Sequence, residues 1–412
     1  MISLSKALSF GPRPIFVKGQ ERYYQYLLAI IWSYNLLTNY IVVFLENFLG
    51  LGYTVDLIVT LTIALLVILS LRYLLKVNNK WTWIIFFALS FILLSSYALG
   101  NSVNVQGIER FWPQVVAAVP CILLGAGVNY RRDFSLLTVV SWLNIISAVL
   151  YQFYCISMGR TLSDNIMGLA YSLLPNIVIC FLSAFQRNLL ISWATGILGT
   201  FMLFAAGTRG AVVSLAVFLL LYFYLYKLKR GKHRIRSLIM ICAVVFIATS
   251  YFTAFFDYTS QLGFGTRIYD QLMGNTEMNG SGREQMHIVS INEIMNQGFW
   301  GHGVFGEQDL YKKIVGKSTY PHNIILEILL QFGIFIGVVM VFLIFYIPYK
   351  AYRINIRNRN IQQALFIVGL VTPVYMNLLF SYTFWTTPLF FFVLSYSIRM
   401  AQNKNSQVGV RA

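Results

Sequence analysis

Charge is what this sequence has least of. Only 11% of its 412 residues are Asp, Glu, Lys or Arg, where a soluble chain carries about 25%. That shortfall excludes an ordinary soluble enzyme. Cysteine is scarce as well. Cys121, Cys155, Cys180 and Cys242 stand within or at the edges of apolar runs, and none belongs to a CxxC pair. A disulfide framework and a thiolate metal site are therefore not expected, and the cysteines read as small buried residues. Internal repeats and low-complexity segments are also missing. Acids are rarer than bases, 14 against 31, and the formal net charge of +17 raises the question of a nucleic-acid partner.

Apolar residues fill the gap, at 58% of the chain with a mean hydropathy of +0.67. They gather into runs, and a membrane-crossing helix needs about 20 mostly apolar residues. Twelve such spans are expected, at about 24–44, 54–74, 81–100, 113–129, 134–157, 165–185, 188–206, 210–226, 237–256, 323–347, 361–380 and 383–398. The expected fold is an all-α polytopic membrane bundle. Its parts are an N-terminal bundle over 1–256, a large loop over 257–322 and C-terminal spans over 323–412. The first 22 residues are polar and basic, and the first apolar run is long enough to stay in the membrane, so no cleaved leader is expected.

If the spans alternate from a cytoplasmic N-terminus, most basic residues fall on the cytoplasmic side, including the six cations of "KLKRGKHRIR". The exceptions are Arg110, Arg160, Arg209, Arg267, Arg283, Lys312, Lys313 and Lys317. Both termini are thus expected inside. The surplus positive charge anchors topology and calls for no nucleic-acid partner.

The loop over 257–322 is long enough to imply function or structure of its own. In it, "SGREQMHIVSINEIMNQG" begins with a capping box, Ser281 and Glu284. Ile288, Ile291, Ile294 and Met295 form an apolar stripe at helical spacing, and Gly298 is a stop. Arg283 falls in the first turn of this helix, where amide donors and the dipole favour an anion. A bound anion would offset the cost of a cation there. Arg209, in "AAGTRGAVV", joins two spans with almost no loop, and His322 and Asn323 open the span at 323–347. Each has an ordinary alternative: a snorkelling arginine, a solvated helix residue, an interfacial polar group. His287, one turn after Arg283, is close enough in sequence to share the site. His302 has no assigned role, and His233 lies in the basic cytoplasmic loop.

Glu327 lies four residues after Asn323, on the same helical face. A carboxylate in a span costs about 2.5 kcal/mol or more at the centre, so an arginine, Arg209 or Arg283, is expected to pair with it. Two arginines suit a diphosphate because the planar guanidinium donates in a bidentate way, and a histidine is a suitable general base near neutral pH.

"GTRG" after a span, "GREQMHIVSINEIMNQGFWGHGVFG" in a large loop and "YPHNIILEILLQFGIFIG" together resemble the O-antigen polymerase and ligase family. The resemblance implies a GT-C-like membrane glycosyltransferase with no required metal or other cofactor. Its substrates would be undecaprenyl-diphosphate-linked sugars at the outer face of the cytoplasmic membrane, and a polysaccharide chain-length regulator would be a possible partner beside the bilayer itself. Carried over by motif, Arg209 and Arg283 would hold diphosphate and His322 would act as base. Asn323, Arg267 and Glu327 complete the substrate-binding candidates, Arg267 being the weaker loop arginine. Ligases tend to show His-Asn, nine residues, then Gly-x-x followed by Gly, Thr or Tyr. Here Gly333 is in place, but Ile336 stands at the last position and Gly337 comes one residue late. The resemblance therefore leans to a repeat-unit polymerase, with ligase as the alternative and a lipid-linked oligosaccharide flippase or a non-catalytic scaffold as other classes.

Overall fold

A computed structural model of the chain describes residues 19–37, 52–78, 80–100, 102–157, 166–206, 208–228, 283–296, 300–316 and 319–402. The regular structure of these residues is all helical, with no strand among them. The helices are α1 (Gln20–Leu36), α2 (Gly52–Val77), α3 (Lys80–Leu99), α4 (Ser102–Arg110), α5 (Trp112–Ala118), α6 (Cys121–Gly127), α7 (Tyr130–Ser157) and α8 (Ile166–Arg187). They continue with α9 (Leu190–Ala205), α10 (Arg209–Leu228), α11 (Arg283–Asn296), α12 (Glu307–Val315), α13 (Ile324–Arg357), α14 (Ile361–Phe380) and α15 (Pro388–Gln402). A 3-10 turn, Phe384–Thr386, joins the last two.

Among the described residues, five helices are long and apolar enough to cross a membrane: α3, α7, α8, α13 and α14. The chain is a multi-pass, all-α membrane protein, but the expected twelve spans are not all found. The run at 113–129 is broken into α5 and α6, which Pro120 separates, and the α4 axis meets theirs at 66°. Proline supplies no amide to continue the ladder, which is why one apolar run yields two short helices. The α9 and α10 helices are apolar but short, and 237–256 lies outside the described residues.

The core centres on α8, which packs against α7, α9 and α14, while α15 packs on α6 and α13. Polar ties lock this apolar interior. Asn144 donates to Asn176 at 2.9 Å, and Trp32 donates to Ser141 at 3.0 Å. Glu21 and Asp133 both pair with Arg132. Cys121 and Cys180 are buried free thiols, as their apolar surroundings imply. Large side chains on the outer faces of α2, α3 and α13, among them Leu61, Phe91 and Phe342, stay exposed as lipid-facing residues do.

The α13 helix is broken at Gly333, where φ 73° and ψ 176° leave the helical region. Only glycine adopts this backbone readily. A short helix, 324–332, is thereby split from a long one, 334–357, which at roughly 1.5 Å per residue is itself long enough to span a bilayer. The break frees carbonyls that need donors. The loop turn at "GHG" provides them: the amides of His302 and Gly303 bond the carbonyls of Leu330 (2.8 Å) and Gln331 (3.0 Å). Gly301 lies so close that a Cβ there would stand 2.2 Å from the Gln331 carbonyl oxygen. Asn104 holds the same turn from α4, donating to the carbonyls of His302 (3.1 Å) and Val304 (2.8 Å). Gly333→Ala should therefore lower stability by about 1–3 kcal/mol, read as a drop in thermal midpoint in detergent.

The loop helix α11 exists, but its buried face is not the expected stripe. Of Ile288, Ile291, Ile294 and Met295 only Ile294 is buried, together with Met286 and Ser290. The reason is tertiary. The face toward α12 and α13 carries the Ser290 hydroxyl, which lies 2.6 Å from that of Tyr311, and around it Met286, Ile294 and Leu330 close a small cluster. Ser281, Gly298 and Arg267 lie outside the described residues.

Candidate active site

The C-terminal end of α14 organises the site. A helix ends in carbonyls without partners, and its dipole makes that end negative. Two loop side chains meet it on consecutive residues. Arg283, the first residue of α11, donates from Nη1 to the Phe380 carbonyl at 2.8 Å. His322 donates from Nδ1 to the Ser381 carbonyl at 2.5 Å. Because a carbonyl can only accept, the proton is on Nδ1, and Nε2 is left as the basic nitrogen.

His322 is half-buried and has φ 54°, a left-handed conformation uncommon for a residue other than glycine. The Tyr320 ring packs on its imidazole at 4.5 Å between centroids. Burial lowers the His322 pKa below the usual histidine value, and the nearby Arg283 and His287 push the same way against the Ser381 carbonyl. The ring is thereby held neutral, the form a general base needs. Burial raises the Tyr320 hydroxyl to about 12, so it remains a neutral donor. His287 reaches the Pro321 carbonyl at 3.2 Å, so the loop histidine nearest Arg283 in sequence also adjoins the site.

Arg209 begins α10. Its neighbour Gly210 lies against this same helix end: a Cβ there would be 2.1 Å from the Tyr171 hydroxyl and 3.4 Å from Phe380 Cβ. The backbone of Arg209 is thus brought to the cluster, while its side chain lies outside the described residues. Asn323 caps α13, its Oδ1 accepting from the amides of Ile325 (2.9 Å) and Leu326 (3.3 Å). That is a structural use of the residue, beside any contact with substrate.

The expected pairing of Glu327 with Arg283 is not what the structure shows. Glu327 is fully buried, and it accepts from the Thr383 hydroxyl and from Gln331 at 3.4 Å. The same Gln331 nitrogen donates to Glu307, also fully buried, at 2.9 Å. Arg283 is turned to the α14 carbonyl instead, and among the described residues no ion pair reaches either carboxyl. Burial lifts Glu307, on the loop side, to about 7, against the hydrogen bond from Gln331. Among the described residues, hydrogen bonds from neutral donors, and not a cation, accommodate these acids. Glu307, Gln331 and Thr383 had no signal in the sequence, and the two α14 carbonyls could have none.

Beside the site, Val103, Gln106, Arg110, Gln308, Asp309 and Lys312 line a cavity of 180 Å³. Arg110 is near enough to influence Tyr320. His302 lies 3.0 Å from Glu293, a partner that its sequence position did not announce. Among the described residues no cluster of three or more His, Cys, Asp or Glu side chains is placed to hold a metal ion.

No curated protein sequence matches the chain. A family model described as O-antigen ligase matches residues 194–342. That stretch contains Arg209, Arg283, His322, Asn323 and Glu327, and it covers α9 to the first part of α13. Over those residues the chain is similar to the O-antigen ligase family, which supports the resemblance to the O-antigen polymerase and ligase family drawn from the sequence.

Proposed function

We propose that the chain is a repeat-unit polymerase, joining oligosaccharides carried on undecaprenyl diphosphate at the outer face of the cytoplasmic membrane. The observation that carries this reading is the pairing of Arg283 and His322 on the Phe380 and Ser381 carbonyls: one fixed guanidinium beside one neutral imidazole with a basic Nε2. The distribution of basic residues supports a loop on the outside and both termini inside.

In the reaction, the diphosphate of the donor lies against Arg283 and Arg209. An acceptor sugar hydroxyl gives its proton to His322 Nε2 as its oxygen bonds to the anomeric carbon of the donor. The bond from that carbon to the diphosphate oxygen breaks, and undecaprenyl diphosphate leaves with the electron pair. Charge grows on the leaving group, where fixed donors have their largest effect. A direct displacement of this kind inverts the anomeric centre. No step requires a metal.

Ligase is the second reading, favoured by the description of the matched family model. Against it stands Ile336 at the position where ligases tend to carry Gly, Thr or Tyr. The glycan made by a deletion strain separates the two. Single capped repeats are expected for a polymerase, whereas full-length polymer left unattached would mean a ligase.

A further inference from the structure

Glu327 takes no part in the chemistry above, yet it is fully buried next to it. Its Oε1 accepts from Thr383, 56 residues away in sequence. One turn later Gln331 accepts from the Trp385 indole nitrogen at 2.7 Å, while its own nitrogen is held by Glu307. The bonds to Thr383 and Trp385 tie the short helix 324–332 to residues 383–385. That segment starts two residues after Ser381, whose carbonyl holds His322. Between them the chain has left the α14 helix: Ser381 has φ −150°, and the amides of Ser381 and Tyr382 both turn back to the Asn377 carbonyl, at 2.8 and 3.4 Å. In such a turn the direction of a carbonyl depends on what grips the chain beyond it. A leucine would fill the space of Glu327 without the cost of burying a carboxyl. The carboxyl therefore marks a position where an acceptor oxygen is needed.

We propose that Glu327 is the positioning residue for the base: by holding Thr383 it sets the direction of the Ser381 carbonyl, which keeps the His322 proton on Nδ1 and points Nε2 at the acceptor sugar. The inference rests on the reading of His322 as the base. Neutral imidazole in water prefers its proton on the other nitrogen, so an acceptor must impose this tautomer, and the group behind that acceptor governs how well it does so.

The test uses full-length protein in lipid nanodiscs, with Glu327→Gln, Glu327→Leu and Thr383→Val. Turnover on lipid-linked repeat units and the tautomer of His322 are both read, the latter by NMR with 15N-labelled histidine. Glu327→Gln keeps an acceptor oxygen for Thr383 and is expected to keep near-normal kcat. Glu327→Leu is expected to lose about 10- to 100-fold in kcat with unchanged KM for the lipid-linked donor. Its acidic limb should move, because the Ser381 carbonyl that raises the His322 pKa is no longer held in place. The Nδ1–H signal should weaken in the same variant. Thr383→Val removes the bond from the other side and should reproduce the effect if Glu327→Leu fails to insert. Wild-type kcat and tautomer in Glu327→Leu or Thr383→Val would overturn the proposal. So would equal losses in the Gln and Leu variants with the acidic limb unmoved, the mark of a merely structural role. Normal polymer from His322→Ala would sink the base assignment instead, and the NMR signal would still decide whether Glu327 fixes the ring.

Discussion

His322→Ala abolishes polymer formation while leaving the binding of the lipid diphosphate largely intact: that is the expected result with the largest effect. The two functions are divided among the residues. Arginines hold the diphosphate in ground and transition states alike, whereas a base acts only as the new bond forms, so its loss falls on turnover. General-base catalysis is typically worth about 100- to 10,000-fold, and kcat should fall by that much with little change in KM. The pH profile gives a second reading. His322 must be neutral to accept a proton, and burial has lowered its pKa. Activity in kcat/KM should therefore persist below the pH at which an ordinary histidine charges, decline as pH falls through the lowered value, and lose this limb in the variant. Normal polymer length and yield from His322→Ala would remove the base from the mechanism. Glu284 and Glu293 of α11 would be the next to test. Glu284 is the more open of the two, since Glu293 already lies against His302.

Arg283→Lys is the second. The Arg283 guanidinium has five N–H donors in a planar fork, and the structure uses one nitrogen on the Phe380 carbonyl. A planar fork can serve two acceptors at once, such as a carbonyl and a phosphate oxygen. A lysine ammonium has the same charge but one compact head, so it serves one of these partners at the expense of the other. Removing a fixed donor of this type costs about 100- to 1,000-fold in kcat. A loss of that order is expected, with normal insertion into the membrane. Arg209→Lys should behave alike if its side chain joins the same anion. Arg267→Lys is the comparison and should cost less. Full activity in both Arg209→Lys and Arg283→Lys would show that neither fork is used, and a larger loss at Arg267 would move the diphosphate to that part of the loop.

The membrane class, the helical content and the nomination of Arg283 and His322 were all legible in the sequence. Hydropathy is additive along a run, and a short motif such as "YPHN" keeps its members close wherever the chain goes. The loop helix was legible for the same reason, since 3.6-residue periodicity is a local property.

What brings the candidate residues together was decided by tertiary structure. The partners of Arg283 and His322 are backbone carbonyls of Phe380 and Ser381, atoms that every residue carries and no side-chain pattern marks. The apolar stripe of α11 misled because Tyr311 offered a hydroxyl to Ser290 and drew a different face inward. Glu327 was expected to meet an arginine because a buried charge needs a counter-charge. Among the described residues the fold instead brought Thr383 and Gln331 to its Oε1, and Gln331 ties it to a second buried acid, Glu307. The sequence by itself could state that this carboxyl had to be accommodated. Which group did so depended on packing between segments 56 residues apart, and composition and spacing carry no information about an encounter at that distance.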